Sequence, residues 1–284
     1  MDWMTRLNEA MDYLEVHLTD EVDYKRLAQI ACCSTYHFQR MFGYLAGTTL
    51  SEYVRRRRMS LAVVDLQAGE KIIDVATKYG YASPTAFNRA FQSIHGIAPS
   101  MAREPGTAVK SFSPIRFKLI VQGAEEMQYR VEQHGSFRIV GVSAPMDRAI
   151  EKNFEVVPQL WGKASMNGTI ARLCGLMDGE VQGILGVSAC GSEEDWRYFI
   201  AAATNRPVPE DMEAYEVPAM TWAIFPGDGV CPGAIQDLER RVVTEWLPGS
   251  GYEYANGPDL EVYLTPDPQK AKFEVWIPVV KKSL

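Results

Sequence analysis

Long apolar runs are missing from this 284-residue sequence: nowhere do 18 uncharged apolar residues follow one another, which excludes an obvious membrane-spanning helix. No charged-then-apolar leader opens the chain, and the expectation is a protein of the cytoplasm. Cysteine is scarce and odd in number (Cys32, Cys33, Cys174, Cys190 and Cys231), with no C-x-x-C, and the four histidines stand singly. A disulfide framework and a structural zinc are both excluded on that pattern, and no metal or cofactor is expected. Catalytic signatures are equally thin. Gly186-Val187-Ser188-Ala189-Cys190 stops short of the closing glycine of a nucleophile elbow, and no phosphate-cradling glycine loop is present. An enzyme is not the expectation.

What the chain does have is charge arranged in blocks. The formal net charge of −7 argues against a nucleic-acid partner until its distribution is considered. Residues 24–103 carry eleven basic side chains against four acidic ones, while residues 1–23 hold seven acids and one arginine. A basic segment with acidic flanks suits a DNA reader joined to something that prefers cations.

Within the basic segment one motif is written twice. Ser34–Gly47 reads S-T-Y-H-F-Q-R-M-F-G-Y-L-A-G, and Ser83–Gly96 reads S-P-T-A-F-N-R-A-F-Q-S-I-H-G. At an offset of 49, serine meets serine, Phe38 meets Phe87, Arg40 meets Arg89, Phe42 meets Phe91 and glycine meets glycine. Each copy follows a short apolar segment. A fixed-period repeat means one structural unit used twice. The serines suit helix N-caps, Pro84 a first helical turn, and the glycines C-terminal stops. Phenylalanines four apart share a buried face, so Gln39 and Arg40, with Asn88 and Arg89, project to the other side. Arginine forks onto guanine, and glutamine or asparagine onto adenine, in the major groove.

On these residues, Leu27–Arg103 resembles the DNA-binding domain of the AraC/XylS family. The resemblance implies seven helices: one leading helix, two helix-turn-helix units, a linking helix and a short closing helix. It implies base contacts from Tyr36, Gln39 and Arg40 in one major groove and from Thr85, Asn88 and Arg89 in the next. Pro84 departs from the polar residue often found at its position. The spacing predicts the leading helix over residues 3–18 and the linking helix over 49–67. In the run Arg55-Arg56-Arg57-Arg58 the side chains point in four directions, with Arg55 or Arg57 expected on phosphate.

Pro105, Gly106 and Pro114 mark residues 106–126 as a linker with a first strand at 115–121, after a reader over 1–105. From 127 to 284 the texture predicts strands at 137–144, 181–189, 196–203, 215–225, 260–264 and 272–279, with helices near 149–172 and 232–247. The order strand, helix, strand, strand occurs twice, an α+β domain of two similar halves with a cleft between them. The whole is multidomain: an all-α reader followed by an α+β unit.

Phe273-Glu274-Val275-Trp276-Ile277-Pro278-Val279 alternates, with Glu274 and Trp276 on one face. Either Glu274 points to water, or it waits in a pocket for a cationic ligand held by the carboxylate and aromatic faces. The F-R-I-V-G-V stretch, the doubled order and D-L-E-V-Y-L…F-E-V-W-I-P-V resemble the GyrI-like effector-binding domain of Rob-type and BmrR-type regulators. That resemblance implies Glu274 as the cation partner, with Trp276, Tyr263, Trp222, Trp161 and Phe225 as walls. The function expected is a transcription regulator that binds double-stranded DNA, senses an amphipathic cationic molecule and contacts RNA polymerase, with its oligomeric state open. The alternatives are a hydrolase of small esters or electrophilic toxic compounds, since some GyrI-like members are hydrolases, and a ligand-independent protein-interaction module.

Overall fold

Capping chemistry sets the helix boundaries of the first part of the chain. In the computed structural model, which describes residues 3–118, 126–147, 150–192, 195–265 and 267–282, helix α1 (Trp3–Val16) buries Trp3, Leu7, Ala10, Met11 and Leu14. Helix α2 (Tyr24–Ala31) is capped by Asp23 and ends at Cys32, which takes a left-handed conformation at φ 55° and turns the chain sharply. Helix α3 (Thr35–Ala46) is capped by Ser34, and α4 (Leu50–Gln67) by Thr49, each side chain accepting from a backbone N–H three residues on. After α5 (Ile72–Lys78), the repeat is restated by α6 (Pro84–His95), with Ser83 as cap and Pro84 in its first turn. Gly47 and Gly96 close α3 and α6 at φ 63° and 77°, where a Cβ would be strained. A 3-10 turn at Met101–Arg103 stands where the short closing helix is expected. Phe38, Phe42, Phe87 and Phe91 are all fully buried, so both copies place their paired phenylalanines in the core.

The chain divides into two compact units, Met1–Leu119 and Ile120–Leu284. Residues 107–118, expected as a linker, lie within the first. The strand expected at 115–121 does not form over 115–118, and 119–121 fall outside the described residues. Instead this segment is held in extended form by side chains rather than by a neighbouring strand. Backbone N–H groups of Lys110, Phe112, Ile115 and Phe117 donate to His95 Nδ1 (3.2 Å), Ser60 Oγ (2.9 Å), Tyr53 Oη (3.1 Å) and Asn8 Oδ1 (2.8 Å). The Phe117 carbonyl accepts from Asn8 Nδ2 at 3.0 Å, and the Phe112 carbonyl from Arg57. His95 accepts from Lys110 at Nδ1, so its other nitrogen carries the proton toward the Met59 carbonyl, and burial pulls its pKa down. The ring works as a neutral clip.

The second unit runs β1 (Arg130–His134), β2 (Phe137–Pro145), α7 (Ile150–Met166), α8 (Thr169–Leu176), β3 (Ile184–Ser192), β4 (Asp195–Ala203), β5 (Glu213–Val217) and β6 (Met220–Gly229). It finishes with α9 (Gly233–Arg241) and a π turn at Val242–Trp246, then β7 (Tyr252–Tyr254), β8 (Asp259–Tyr263) and β9 (Ala271–Lys281). The antiparallel sheet has the order β1-β6-β9-β8-β3-β4-β2-β5, with β7 added on β9. The doubled pattern is therefore β2-α7-α8-β3-β4 followed by β6-α9-β8-β9, and the halves meet where β3 pairs with β8.

Two expected elements divide. The strand expected at 215–225 splits at Pro218-Ala219: β5 pairs with β2 at one end of the sheet and β6 with β1 at the other. The helix expected at 149–172 breaks at Gly168, with φ 79°. Alternation then sorts the side chains by face. Leu185, Val187, Phe199, Trp222, Leu260, Val262 and Trp276 pack in one cluster, while Tyr198, Ile200 and Ile184 face α7 and α8 with Trp161 and Tyr263.

Candidate DNA-reading helices and effector site

Helix α6 presents the second copy of the motif outward. Phe87 and Phe91 point into the core, which leaves Thr85 and Arg89 exposed and Asn88 half-buried. Thr85 and Asn88 border an open cavity of about 290 Å³, shared with Ile72, Pro84, Pro99 and Ser100. Helix α3 is less open than its sequence suggests. Tyr36 and Gln39, expected at bases, are 8% and 3% exposed, and the Gln39 amide lies 3.5 Å from the Thr35 carbonyl of its own helix. Arg40 donates to Tyr36 Oη at 2.8 Å and to Tyr44 Oη at 3.2 Å, so its guanidinium is laid along the helix surface between two phenols. The expectation of open base readers is therefore corrected for Tyr36 and Gln39. A side chain that turns back on its own helix must first be drawn out before it can reach a base edge.

The arginine run is sorted by its partners. Arg57, expected on phosphate as one of two alternatives, is 8% exposed and grips both Glu15 oxygens, Nη2 at 2.7 Å and Nε at 2.9 and 3.1 Å. Hydrogen bonding to Glu15 raises its pKa further. Tyr53 completes the group, its hydroxyl donating to Glu15 Oε1 at 2.5 Å. Arg57 thus ties α4 to α1 and to Phe112 and is removed from the phosphate set. Arg58 donates to the Leu18 and Asp20 carbonyls, and Arg56 to Glu52 while lying over the Phe112 ring. Arg55 remains at the surface with its side chain 43% exposed, paired with Glu52.

In the second unit, the carboxylate singled out by sequence has a partner within the chain. Glu274 takes a two-pronged hydrogen bond from Arg130 (2.7 and 3.1 Å) and another from Trp276 Nε1 (2.8 Å). Arg130 also pairs with Glu132, which accepts from His134, so a line of hydrogen-bonded side chains runs along β1. That corrects Glu274 as a carboxylate awaiting an external cation. Trp222 (0% exposed), Phe225 and Trp276 are core residues: Trp222 and Trp276 pack on each other, and Phe225 stacks on Tyr129 and meets Trp246 edge-on. These three are not open walls.

Trp161 and Tyr263 come together around a different acid. Glu261, on β8, accepts from Tyr263 Oη and from Tyr198 Oη, both at 2.9 Å. Trp161, on α7, donates from Nε1 to Tyr198 Oη at 3.0 Å and meets the Tyr263 ring edge-on with centroids 5.0 Å apart. Burial, and next the negative charge of Glu261, drive the pKa values of Tyr198 and Tyr263 well above the ordinary phenol value. Both phenols stay protonated and donate. Glu261 pairs with Val275 and Glu274 with Val262, so neighbouring strands carry the two acids on opposite sheet faces. The site lies on the seam, because Glu261 is the register partner of Gly186 on β3. Glu261 and Tyr198 were missed from sequence. The signal was present in Glu261-Val262-Tyr263, an acid-x-aromatic pattern matching Glu274-Val275-Trp276.

Chemically, a half-buried carboxylate bordered by an indole and two phenols suits a cation with apolar bulk, since aromatic faces and the acid attract positive charge together. Among the described residues no cluster of His, Cys, Asp and Glu could hold a metal ion. No described helix is long and apolar enough to cross a membrane.

Comparison with known proteins bears on both units. The helix-turn-helix domain family matches residues 27–104, and the integron-associated effector binding protein family matches residues 130–279. The HTH-type transcriptional activator AarP of Providencia stuartii is 35% identical over 98 residues, which cover 34% of this chain and 73% of that protein. The regulatory protein SoxS of Salmonella typhimurium is 33% identical over 95 residues, 33% of this chain and 89% of SoxS. Among solved structures, an integron cassette protein from Vibrio cholerae aligns with a TM-score of 0.39 at 18% identity, covering 54% of this chain and 95% of that one. Through its second unit this chain belongs to the integron-associated effector binding protein family, and through its first it belongs to the AraC-type DNA-binding transcription regulators.

Proposed function

We propose that the regulator senses an amphipathic cation at Glu261, and that α6 carries the more accessible of its two DNA contacts. The observation that carries the effector reading is the convergence of the Tyr198 and Tyr263 hydroxyls on one carboxylate, with Trp161 hydrogen-bonded to Tyr198, at the seam of two pseudo-repeated halves. Each element of that group has a counterpart in cation recognition: charge from the acid, quadrupole from the rings, shielding from the surrounding core. For DNA, Arg89 and Asn88 are the base readers, Arg55 is the phosphate contact, and Arg40 joins them once released from Tyr36 and Tyr44. The protein works in the cytoplasm as a binding protein rather than an enzyme. RNA polymerase is its second macromolecular partner, in keeping with a relative named as a transcriptional activator.

Titration calorimetry with tetraphenylphosphonium, and with neutral triphenylphosphine oxide as control, tests the effector reading. The protein should prefer the cation, and Glu261→Gln should weaken phosphonium binding about tenfold, or about 1.4 kcal/mol, while operator affinity stays unchanged. Equal binding of the cation by the Gln variant refutes the assignment. Mass analysis of the ligand after incubation separates sensing from turnover.

A further inference from the structure

Glycine inside a strand weakens it, so Gly186 in the middle of β3 requires a reason. The backbone does not supply one, because Gly186, unlike nearby Gly183 at φ 121°, has no positive φ. Its neighbours Leu185 and Val187 are fully buried, ordinary strand residues. The reason lies on its site-facing side. A Cβ at position 186 would collide with the Tyr198 hydroxyl, and would stand 2.7 Å from Glu261 Oε2 and 3.2 Å from Tyr198 Cζ. At the described glycines Gly141 and Gly179, a Cβ would instead meet the backbone and side-chain atoms of neighbouring strand residues, and at Gly227 core side chains.

Resting on the effector reading, we propose that Gly186 is a positioning residue of the effector site. The side chain it lacks is what lets Tyr198 and Glu261 meet across the β3–β8 seam. The Tyr198 ring cannot swing aside, since it is 3% exposed and packed with Ile184 and Ile200 under α7 and α8. Its hydroxyl is held from the other side by Trp161 Nε1–H, which occupies an oxygen lone pair and directs the phenol proton to Glu261. An added methyl group therefore displaces Glu261 from its place between the Tyr198 and Tyr263 hydroxyls. The notch at Gly186 sets how deep the negative charge sits, and with it the preference for a cation over a neutral molecule of the same shape.

The test uses the full chain with Gly186→Ala, Tyr198→Phe and the double substitution, titrated with tetraphenylphosphonium and triphenylphosphine oxide, with near-UV circular dichroism reporting the fold. Gly186→Ala should lose about tenfold in phosphonium affinity and keep its affinity for the neutral compound. Tyr198→Phe removes the colliding oxygen, so the double variant should bind phosphonium better than Gly186→Ala alone. Wild-type phosphonium affinity in Gly186→Ala overturns the proposal, as does a double variant that loses the product of the two single effects. If Gly186→Ala does not fold, the double variant decides: folding and binding support the notch, and failure refutes it. Glu261→Gln separates the two claims, because an unaffected Gln variant removes the effector reading itself, whereas a weakened one beside a normal Gly186→Ala removes only the notch.

Discussion

Arg57 shows how much of a residue's role depends on partners far away in sequence. Its guanidinium is shared between Glu15, 42 positions earlier, and the carbonyl of Phe112, 55 positions later. Removing one member of a buried ion pair leaves the other charge uncompensated, which typically costs about 3–5 kcal/mol. Arg57→Met should lower the urea midpoint of the first unit accordingly, whereas Arg55→Met, at the surface, should change it by less than about 1 kcal/mol. Comparable losses from both would show that Arg57 has no special place. Four consecutive arginines on a helix announce four directions but not which of them faces inward. The same limit applied to the acids. Glu261 and Glu274 sit in matching acid-x-aromatic patterns on adjacent strands, and alternation places each relative to its own neighbours. Which sheet face α7 covers is decided by the crossover, and no strand pattern records it. All five aromatic candidates came from the resemblance to the GyrI-like domain rather than from any strand or helix pattern. Trp161 and Tyr263 lie together near Glu261, while Trp222, Phe225 and Trp276 show that an aromatic residue is more often core.

At the level of elements, the doubled helix-turn-helix was the most legible part of the chain, since caps, paired phenylalanines and stop glycines all act within a dozen residues. The extended segment 107–118 was the least legible. Pro105 and Gly106 before it and Pro114 within it gave it the look of a linker, yet its backbone is held by Asn8, Tyr53, Arg57, Ser60 and His95, side chains scattered over three helices. Phe117 adds an edge-on contact with Phe42, the core residue of the first repeat, at 5.9 Å. Phe117→Ala should therefore destabilise the reader by about 3–5 kcal/mol, measured by denaturant unfolding of the full chain. A change within about 0.5 kcal/mol, as at ordinary surface positions, would mean that the segment only rests on the helices.

For the molecule as a whole, the basic block at 24–103 falls within the first unit, the one that belongs to the DNA-binding regulators, together with the acidic block that precedes it. Two kinds of DNA contact should separate in solution. Arg89→Ala should cost about 1–3 kcal/mol on a selected operator and relax its preference at one half-site. Arg55→Ala should weaken all duplexes alike and reduce the salt slope by about one. Identical behaviour of the two variants on operator and scrambled duplex would remove Arg89 from base reading.

The strand order of the second unit carries one more consequence. Strand β1 precedes the first half but is hydrogen-bonded to β6 of the second, and β5 precedes the second half but is bonded to β2 of the first. Each half thus lends its opening ribbon to the far margin of the other, like two hands with crossed thumbs. Pulling the pair apart would strip both outer borders at once, so neither half is expected to survive excision alone. The junction where β3 meets β8 is thus braced from both margins of the sheet.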